Sequence, residues 1–259
     1  MQALNNNKNK FSILAILLAL ILSLGQYKSF FSQQGITTIG FQLKPIVPIN
    51  YFGAGPINLT SSNNEASAAI EISSKLGYCF GMVIRQGLTK TISLETGINY
   101  TERNYKLAGS SLFLDSISST DIADFGFVSY EIPILGLIYI RLADQLYMNA
   151  AVGLGINFYA SDVASKGENV LIDHYSERAR WINLSFHSNL GLEFRTKEKG
   201  YFYLGASLNT PFNEITATYL KYYYDDNNSI SFDPSFLNGN YVTIDLRYFL
   251  APNKKDKKD

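Results

Sequence analysis

Apolar and polar residues alternate one for one in eight segments of this chain, and the connections between the segments alternate long and short. Side chains of an extended strand point to opposite faces with period two, so each segment offers one greasy face and one wet face. The segments are Thr38 to Tyr51, Ile70 to Arg85, Thr91 to Arg103, Tyr130 to Arg141, Leu146 to Tyr159, Trp181 to Arg195, Tyr201 to Phe212 and Tyr241 to Leu250. In seven of them the apolar set falls mainly on even numbers. The third is clean, with Ile92, Leu94, Ile98 and Tyr100 against Ser93, Glu95, Gly97 and Asn99. The first is the exception, with Ile39, Phe41, Leu43, Val47 and Ile49 opposite Gln42 and Lys44. A helix would space its apolar residues three and four apart, so the periodicity predicts strands.

Each clean run reaches about nine residues, the length a tilted strand needs to cross a membrane. Gln86 to Lys90, Ala143-Asp144-Gln145 and Thr196 to Gly200 are short connections. Gly53 to Ser67, Ala108 to Asp124, Ser161 to Arg180 and Asn213 to Asn240 are long and polar, and read as outer loops. An even number of strands with short periplasmic turns and long outer loops is the plan of an outer-membrane barrel. The expected fold is all-β: an eight-stranded antiparallel up-and-down transmembrane β-barrel over residues 37–250. The alternative is a soluble, lipocalin-like barrel that turns the same apolar face inward. Gly77, Gly81, Gly97, Gly153, Gly155, Gly191 and Gly205 all fall on the polar face, which suits a narrow lumen crowded with charged chains. Tyr100, Tyr130, Phe158 and Phe212 toward one rim, and Phe194, Phe202 and Tyr248 toward the other, suit interfacial girdles.

The N-terminus sharpens the membrane reading. Lys8 and Lys10 precede an apolar core from Phe11 to Leu22, and Ser23-Leu24-Gly25 offers small residues for a cut before Gln26. Residues 1–25 are the expected signal peptide, 26–36 a short periplasmic segment and 251–259 a charged periplasmic tail ending in NKKDKKD. Composition agrees: charged residues are 17%, with 18 Tyr, 17 Phe and a formal charge of zero, so nothing points to nucleic acid. Cys79 is the only cysteine and has no partner for an internal disulfide.

Four stretches carry a resemblance. Gly97-Ile-Asn-Tyr100, Tyr130-Glu-Ile-Pro-Ile134, Ala151-Val-Gly-Leu-Gly155 and the aromatic final strand Tyr241 to Phe249 resemble the outer-membrane β-barrel family of Bacteroidetes that includes PorT-like proteins. The resemblance covers roughly residues 37 to 250 and implies a Gram-negative outer-membrane location. It implies no shared catalytic residue and no cofactor; the family's best-known member assists a secretion system. The tail after the final strand departs from many members.

Candidate chemistry lies on the odd face. Lys44, Lys75, Glu95, Glu131, Glu193, Asp245 and Arg247 are expected to point into a lumen too narrow at eight strands for an open aqueous channel. Lys44 is expected to meet Asp245, and Lys75 to meet Glu95, as a structural ion-pair plug. A gated pathway for small solutes is the alternative. His174-Tyr175-Ser176 resembles the His-x-Ser of PagL-type lipid A deacylases, although Ser188 stands where that family places a glutamate. His187 lacks a second strong ligand, so no metal site is assigned. Pro133 is expected at a bulge or at the start of a strand. Tyr222-Tyr-Tyr-Asp-Asp226 is expected in an irregular solvated loop. The function expected is that of a non-enzymatic envelope component. Its expected partners are outer-membrane lipid and other envelope or secretion-system proteins. A narrow pore and a lipid-modifying enzyme are the alternatives.

Overall fold

The computed structural model describes residues 35–49, 53–63, 66–113, 116–196, 198–225 and 228–251. The expected signal peptide, most of segment 26–36 and the tail beyond Ala251 lie outside the described residues. The strands of the first half are β1 (Thr37–Val47), β2 (Ile57–Ser62), β3 (Ala66–Ser74), β4 (Gly77–Gly87), β5 (Ile92–Phe113), β6 (Ser116–Arg141) and β7 (Leu146–Tyr159). Those of the second half are β8 (Val163–Lys166), β9 (Ile172–Arg178), β10 (Ile182–Arg195), β11 (Tyr201–Pro211), β12 (Thr216–Asp225), β13 (Asn228–Ser231), β14 (Ser235–Leu237) and β15 (Tyr241–Phe249).

Eight antiparallel ladders join β1 to β4, β4 to β5, β5 to β6, β6 to β7, β7 to β10, β10 to β11, β11 to β15 and β15 back to β1. The circuit returns to its start, so each of these strands has a neighbour on both sides. Its outward face is apolar: Ile39, Phe41, Phe80, Met82, Ile98, Ile138, Leu154, Leu190, Leu204 and Leu246 are all exposed. Its inward face buries charge and amide groups. This is the reverse of a soluble ligand-binding barrel, and it overturns that alternative. The aromatic rims also form, with Tyr100 edge-on to Tyr130 at 5.8 Å and Phe202 against Tyr248 at 5.1 Å.

Pro133 sits at neither a bulge nor a strand start. It pairs normally with Gly155 of β7, while its missing N–H faces β5. There the ladder lapses between Thr96↔Ile134 and Asn99↔Glu131 and resumes in unchanged register. Pro45 behaves alike, pairing with Tyr78 on one side and interrupting the β1–β15 ladder on the other.

The long connections are not loose loops. β5 and β6 run 22 and 26 residues, more than twice the roughly 10 a tilted strand needs to cross a membrane. Their upper halves pair with each other, β5 also pairs with β3, and β3 pairs with β2, to make one sheet of a head. β8, β9, β12 and β13 make a second sheet, with β14 pairing onto β12. Between the sheets lies the largest buried apolar cluster, including Ile70, Ile72, Leu107, Phe125, Phe127, Ile172, Leu220 and Tyr222. Burying each such side chain stabilises by about 1.5–3 kcal/mol. The edges are stitched together: Glu168 N donates to Ile122 O at 2.9 Å, and Ser61 Oγ to Ser231 O at 2.8 Å.

Two expectations fail in the head. Ile70 to Arg85 runs along β5 as two strands, β3 and β4, whose registers differ by one residue across Lys75 and Leu76, so the inward positions change from even numbers in β3 to odd numbers in β4. Ile70 and Ile72 therefore face the head core and not lipid. Tyr222 is not in a solvated loop; it is fully buried, with its hydroxyl 3.1 Å from Ser119 Oγ.

Candidate functional site in the ring interior

The lower interior holds an unbroken chain of charges of alternating sign. Arg195 reaches Glu193 at 2.6 Å, Glu193 accepts from Arg85 at 2.5 Å, and Arg85 donates to Glu95 at 2.9 Å. Glu95 then accepts from Arg247 at 2.6 Å, Arg247 donates to Asp245 at 2.6 Å, and Asp245 lies 3.5 Å from Lys44. Asp245 also accepts from Thr243, Ser207 and Asn189 at 2.5, 2.6 and 2.9 Å. Arginine suits such a chain because its planar fork serves two carboxylates at once. The faces of the guanidinium planes stack on rings as cation–π contacts: Arg85 over Phe249 at 4.0 Å, and Arg195 over Tyr147 at 4.0 Å.

The geometry needs glycine at chosen places. A Cβ on Gly155 would meet His187 Nε2 at 2.2 Å. One on Gly191 or Gly205 would meet the Tyr203 hydroxyl at 2.4 or 2.2 Å. The inward glycines thus make room for the polar side chains of neighbouring strands.

The upper interior is a hydrogen-bonded layer. Tyr241 Oη donates to the Glu131 carboxylate, lying 2.8 and 2.9 Å from its two oxygens. Asn209 Nδ2 donates to Tyr241 Oη at 2.9 Å and to His187 Nε2 at 2.8 Å. His187 accepts at Nε2, so a neutral ring carries its proton on Nδ1. Ser185 Oγ lies 2.8 Å from the same nitrogen and accepts from Asn157 Nδ2 at 2.8 Å. Arg103 closes the mouth. It donates to Gly239 O at 3.0 Å, to Ser129 Oγ at 2.8 Å and to Tyr159 Oη at 3.2 Å. Its guanidinium lies between the rings of Tyr159 and Tyr241.

Of the residues expected in the lumen, Lys44, Glu95, Glu131, Glu193, Asp245 and Arg247 are buried inside the ring. Lys44 stands beside Asp245, as the strand order suggested. Lys75 does not belong there. It sits at the register slip between β3 and β4 and pairs with Asp124 at 2.5 Å, both half exposed. Arg85 and Arg247 take the places beside Glu95 that Lys75 was expected to fill. Arg85, Arg103 and Arg195 went unnoticed as interior groups. Their odd numbers, shared with the glycines and Glu193, were the available signal.

His174 and Ser176 do touch, with Nε2 and Oγ 2.7 Å apart, but inside the head and not in a polar loop. Ser176 Oγ is 2.8 Å from Thr218 Oγ1, and the other ring nitrogen is 3.0 Å from Ser165 Oγ, where an acyl-transfer triad would place a carboxylate. Burial, with the Phe125 ring 4.1 Å away, pushes the His174 pKa down to about 4. Both residues are out of reach of substrate. His187 touches Ser185 and Asn209, not Glu193. Among the described residues no group of three or more His, Cys, Asp or Glu is placed to hold a metal ion.

Asp121 is a further buried acid that sequence reading passed over. Its carboxylate accepts from the backbone N–H groups of Ile122, Asn169, Leu171 and Ile172 at 2.8–2.9 Å. Burial pushes its pKa up, but the four donors together outweigh that and hold it below the usual range. The loop it clamps contains Val170 at φ +62°, a left-handed conformation that β-branched residues avoid.

Comparison with known proteins completes the picture. OprG from Pseudomonas aeruginosa is similar over 84% of this chain and 98% of its own, at 10% identity and TM-score 0.46. The translocator domain of the autotransporter NalP from Neisseria meningitidis matches over 95% and 96%, at 11% identity and TM-score 0.37. The outer membrane protease OmpT from Escherichia coli matches over 86% and 97%, at 11% identity and TM-score 0.41. No curated protein matches the sequence. The outer membrane protein beta-barrel domain matches residues 40–240, most of the chain and all of the strand circuit but β15 and the first residues of β1. This chain belongs to that family, and its place is the outer membrane.

Proposed function

We propose that the strand circuit is an eight-stranded up-and-down transmembrane barrel, made after export behind the 1–25 signal peptide, with the head on the extracellular side. Its role on this reading is non-enzymatic: a structural or accessory envelope component that makes its contacts through the head, of the PorT-like kind found in Bacteroidetes. The observation that carries the reading is the division of labour between the two parts. The lumen is filled by its own ion pairs and amides, while the four long connections build a cored module of two sheets. A pore would leave the lumen polar and open. A lipid-modifying enzyme would bring a nucleophile and base to an accessible surface.

Planar-bilayer recordings of the refolded protein test the first half, with no conductance above background expected. The second half is tested by capture of envelope partners with the full chain and with a variant whose four long connections are replaced by short turns. Capture should be lost with the head. Steady conductance, or capture that survives removal of the head, would overturn the reading.

A further inference from the structure

The two outward faces of the head differ in kind. On the first sheet the outward side chains are mostly polar or small, such as Asn58, Thr60, Ser62, Glu71, Lys106 and Ser110, with Ile122 the exposed apolar one. On the second they include three exposed aromatics: Tyr175 on β9, Tyr219 on β12 and Phe236 on β14. Tyr175 and Tyr219 are register partners, with ring centres 6.4 Å apart and planes within 25° of parallel. Phe236 pairs with Ala217, two residues along β12 from Tyr219 and therefore on the same face. Alternation on a strand standing in water calls for polar residues at all three positions. An exposed aromatic cluster in their place marks a contact surface.

The surroundings say what kind of contact. Asp173 pairs in register with Lys221 on one side and Lys166 on the other, and Glu177 lies opposite Ala217. Asp162 accepts from Tyr175 Oη at 3.5 Å. Acids and amines are interleaved, with no field of one sign to favour a highly charged ligand. Flat rings bordered by mixed donors and acceptors suit a sugar, whose C–H faces stack on aromatic π-systems while its hydroxyls meet the charged rim.

The position says which sugar. Next to Ala217, Thr216 pairs with Arg178, and the Arg178 guanidinium donates to the carbonyls of Tyr159 and Ala160 at the end of barrel strand β7. Three residues on, Trp181 is 63% exposed and opens the lipid-facing band of β10. The aromatic face thus continues the lipid-facing surface upward, at the level where headgroups of the outer leaflet begin. In an outer membrane that region carries the lipid A phosphates at the acyl boundary and, above them, the core sugars of lipopolysaccharide, whose outer hexoses are its largely uncharged part.

We propose that Tyr175, Tyr219 and Phe236 form a platform that docks lipopolysaccharide core sugars of the surrounding leaflet. This rests on the extracellular placement of the head. The test uses the refolded full chain and two probes: lipid-free core oligosaccharide, and lipid A lacking the core. Saturation-transfer NMR or thermophoresis should show oligosaccharide binding that Tyr175→Ser with Tyr219→Ser weakens about tenfold or more. Thr60→Ala with Ser110→Ala, on the opposite face, should change nothing. Retained heat-modifiable migration of each variant would show that the barrel is intact, and Tyr219→Lys alone serves if the double variant does not refold. Failure of the wild type to bind the oligosaccharide, or equal binding by the tyrosine variants, would overturn the proposal. So would stronger binding of coreless lipid A than of the core sugars. Surface biotinylation of Lys221 in whole cells checks the placement of the head separately, so loss of sugar binding with Lys221 still labelled sinks only the platform.

Discussion

The barrel and the head are built on the same two strands with opposite rules. Along β5 the outward residues are Ile92, Leu94 and Ile98 below, then Glu102, Asn104 and Lys106 above. The inward ones run Glu95, Asn99, Thr101 and Arg103 below, then Tyr105 and Leu107 above. β6 mirrors this, with Glu131 and Ser129 inward below and Phe127, Phe125 and Ala123 inward above. The strands keep their faces; the surroundings change. Below Arg103 the outside is lipid and polar groups are hidden. Above it the outside is water and apolar groups are hidden. The inversion marks the membrane surface on the chain itself, and it separates two kinds of stability: ion pairs within the barrel, apolar burial within the head.

The comparison is broken most sharply at Arg85, which holds two buried carboxylates. Arg85→Met leaves Glu95 and Glu193 short of a partner and should cost about 4 kcal/mol of barrel stability, read from urea unfolding in detergent or lipid. The head core should be broken without the barrel by Tyr222→Ala, at about 3 kcal/mol. Protease should then cut the head, while heat-modifiable migration persists.

Acid should also single out the head. His174 is held neutral in the fold, with a pKa of about 4 against an ordinary 6.5. Its stabilising contribution is therefore complete above pH 6.5 and falls away as the pH drops toward 4, because the unfolded chain takes up the proton first. Limited proteolysis from pH 7 to 4 should show the head loosening, and His174→Gln should flatten the profile. A profile unchanged by His174→Gln would contradict this assignment. Asp121→Ala removes the acceptor for four backbone donors and should cost about 2 kcal/mol, seen as faster hydrogen exchange at residues 169–172. The smallest effect belongs to Lys75→Met, which breaks a half-exposed pair and should shift stability by less than about 1 kcal/mol in either part.

Much of the barrel was legible because lipid outside and polar groups inside impose a strict two-residue period on each crossing strand. The last four expected segments match β7, β10, β11 and β15 to within a residue; the first reaches past the end of β1 into residues 50–51, which lie outside the described ones, the second spans β3 and β4, and the third and fourth are the lower parts of β5 and β6. The head was legible too, but only to a reader who let the period continue past Arg103 with its sign reversed. Ending the third segment at Arg103 and reading Ala108 to Asp124 as a polar loop left Tyr105 and Leu107 out of any strand. Lys75 shows a related error: the one-residue slip between β3 and β4 exchanges the odd and even faces, so the parity of β4 cannot be carried back through Lys75 to Ile70 and Ile72. The partners inside the lumen were harder still. Arg85 and Glu193 are 108 residues apart and meet across the barrel, and such a meeting depends on stagger and tilt, which no spacing along the chain records.

β5 and β6 cross the membrane surface without a turn, so on that side the head has no hinge. Opposite them, Arg178 fastens β9 to the end of β7. A sideways pull on the head would reach the bilayer as a torque on the whole barrel. The molecule is a stiff lever, and whatever grips its tip can tilt its root.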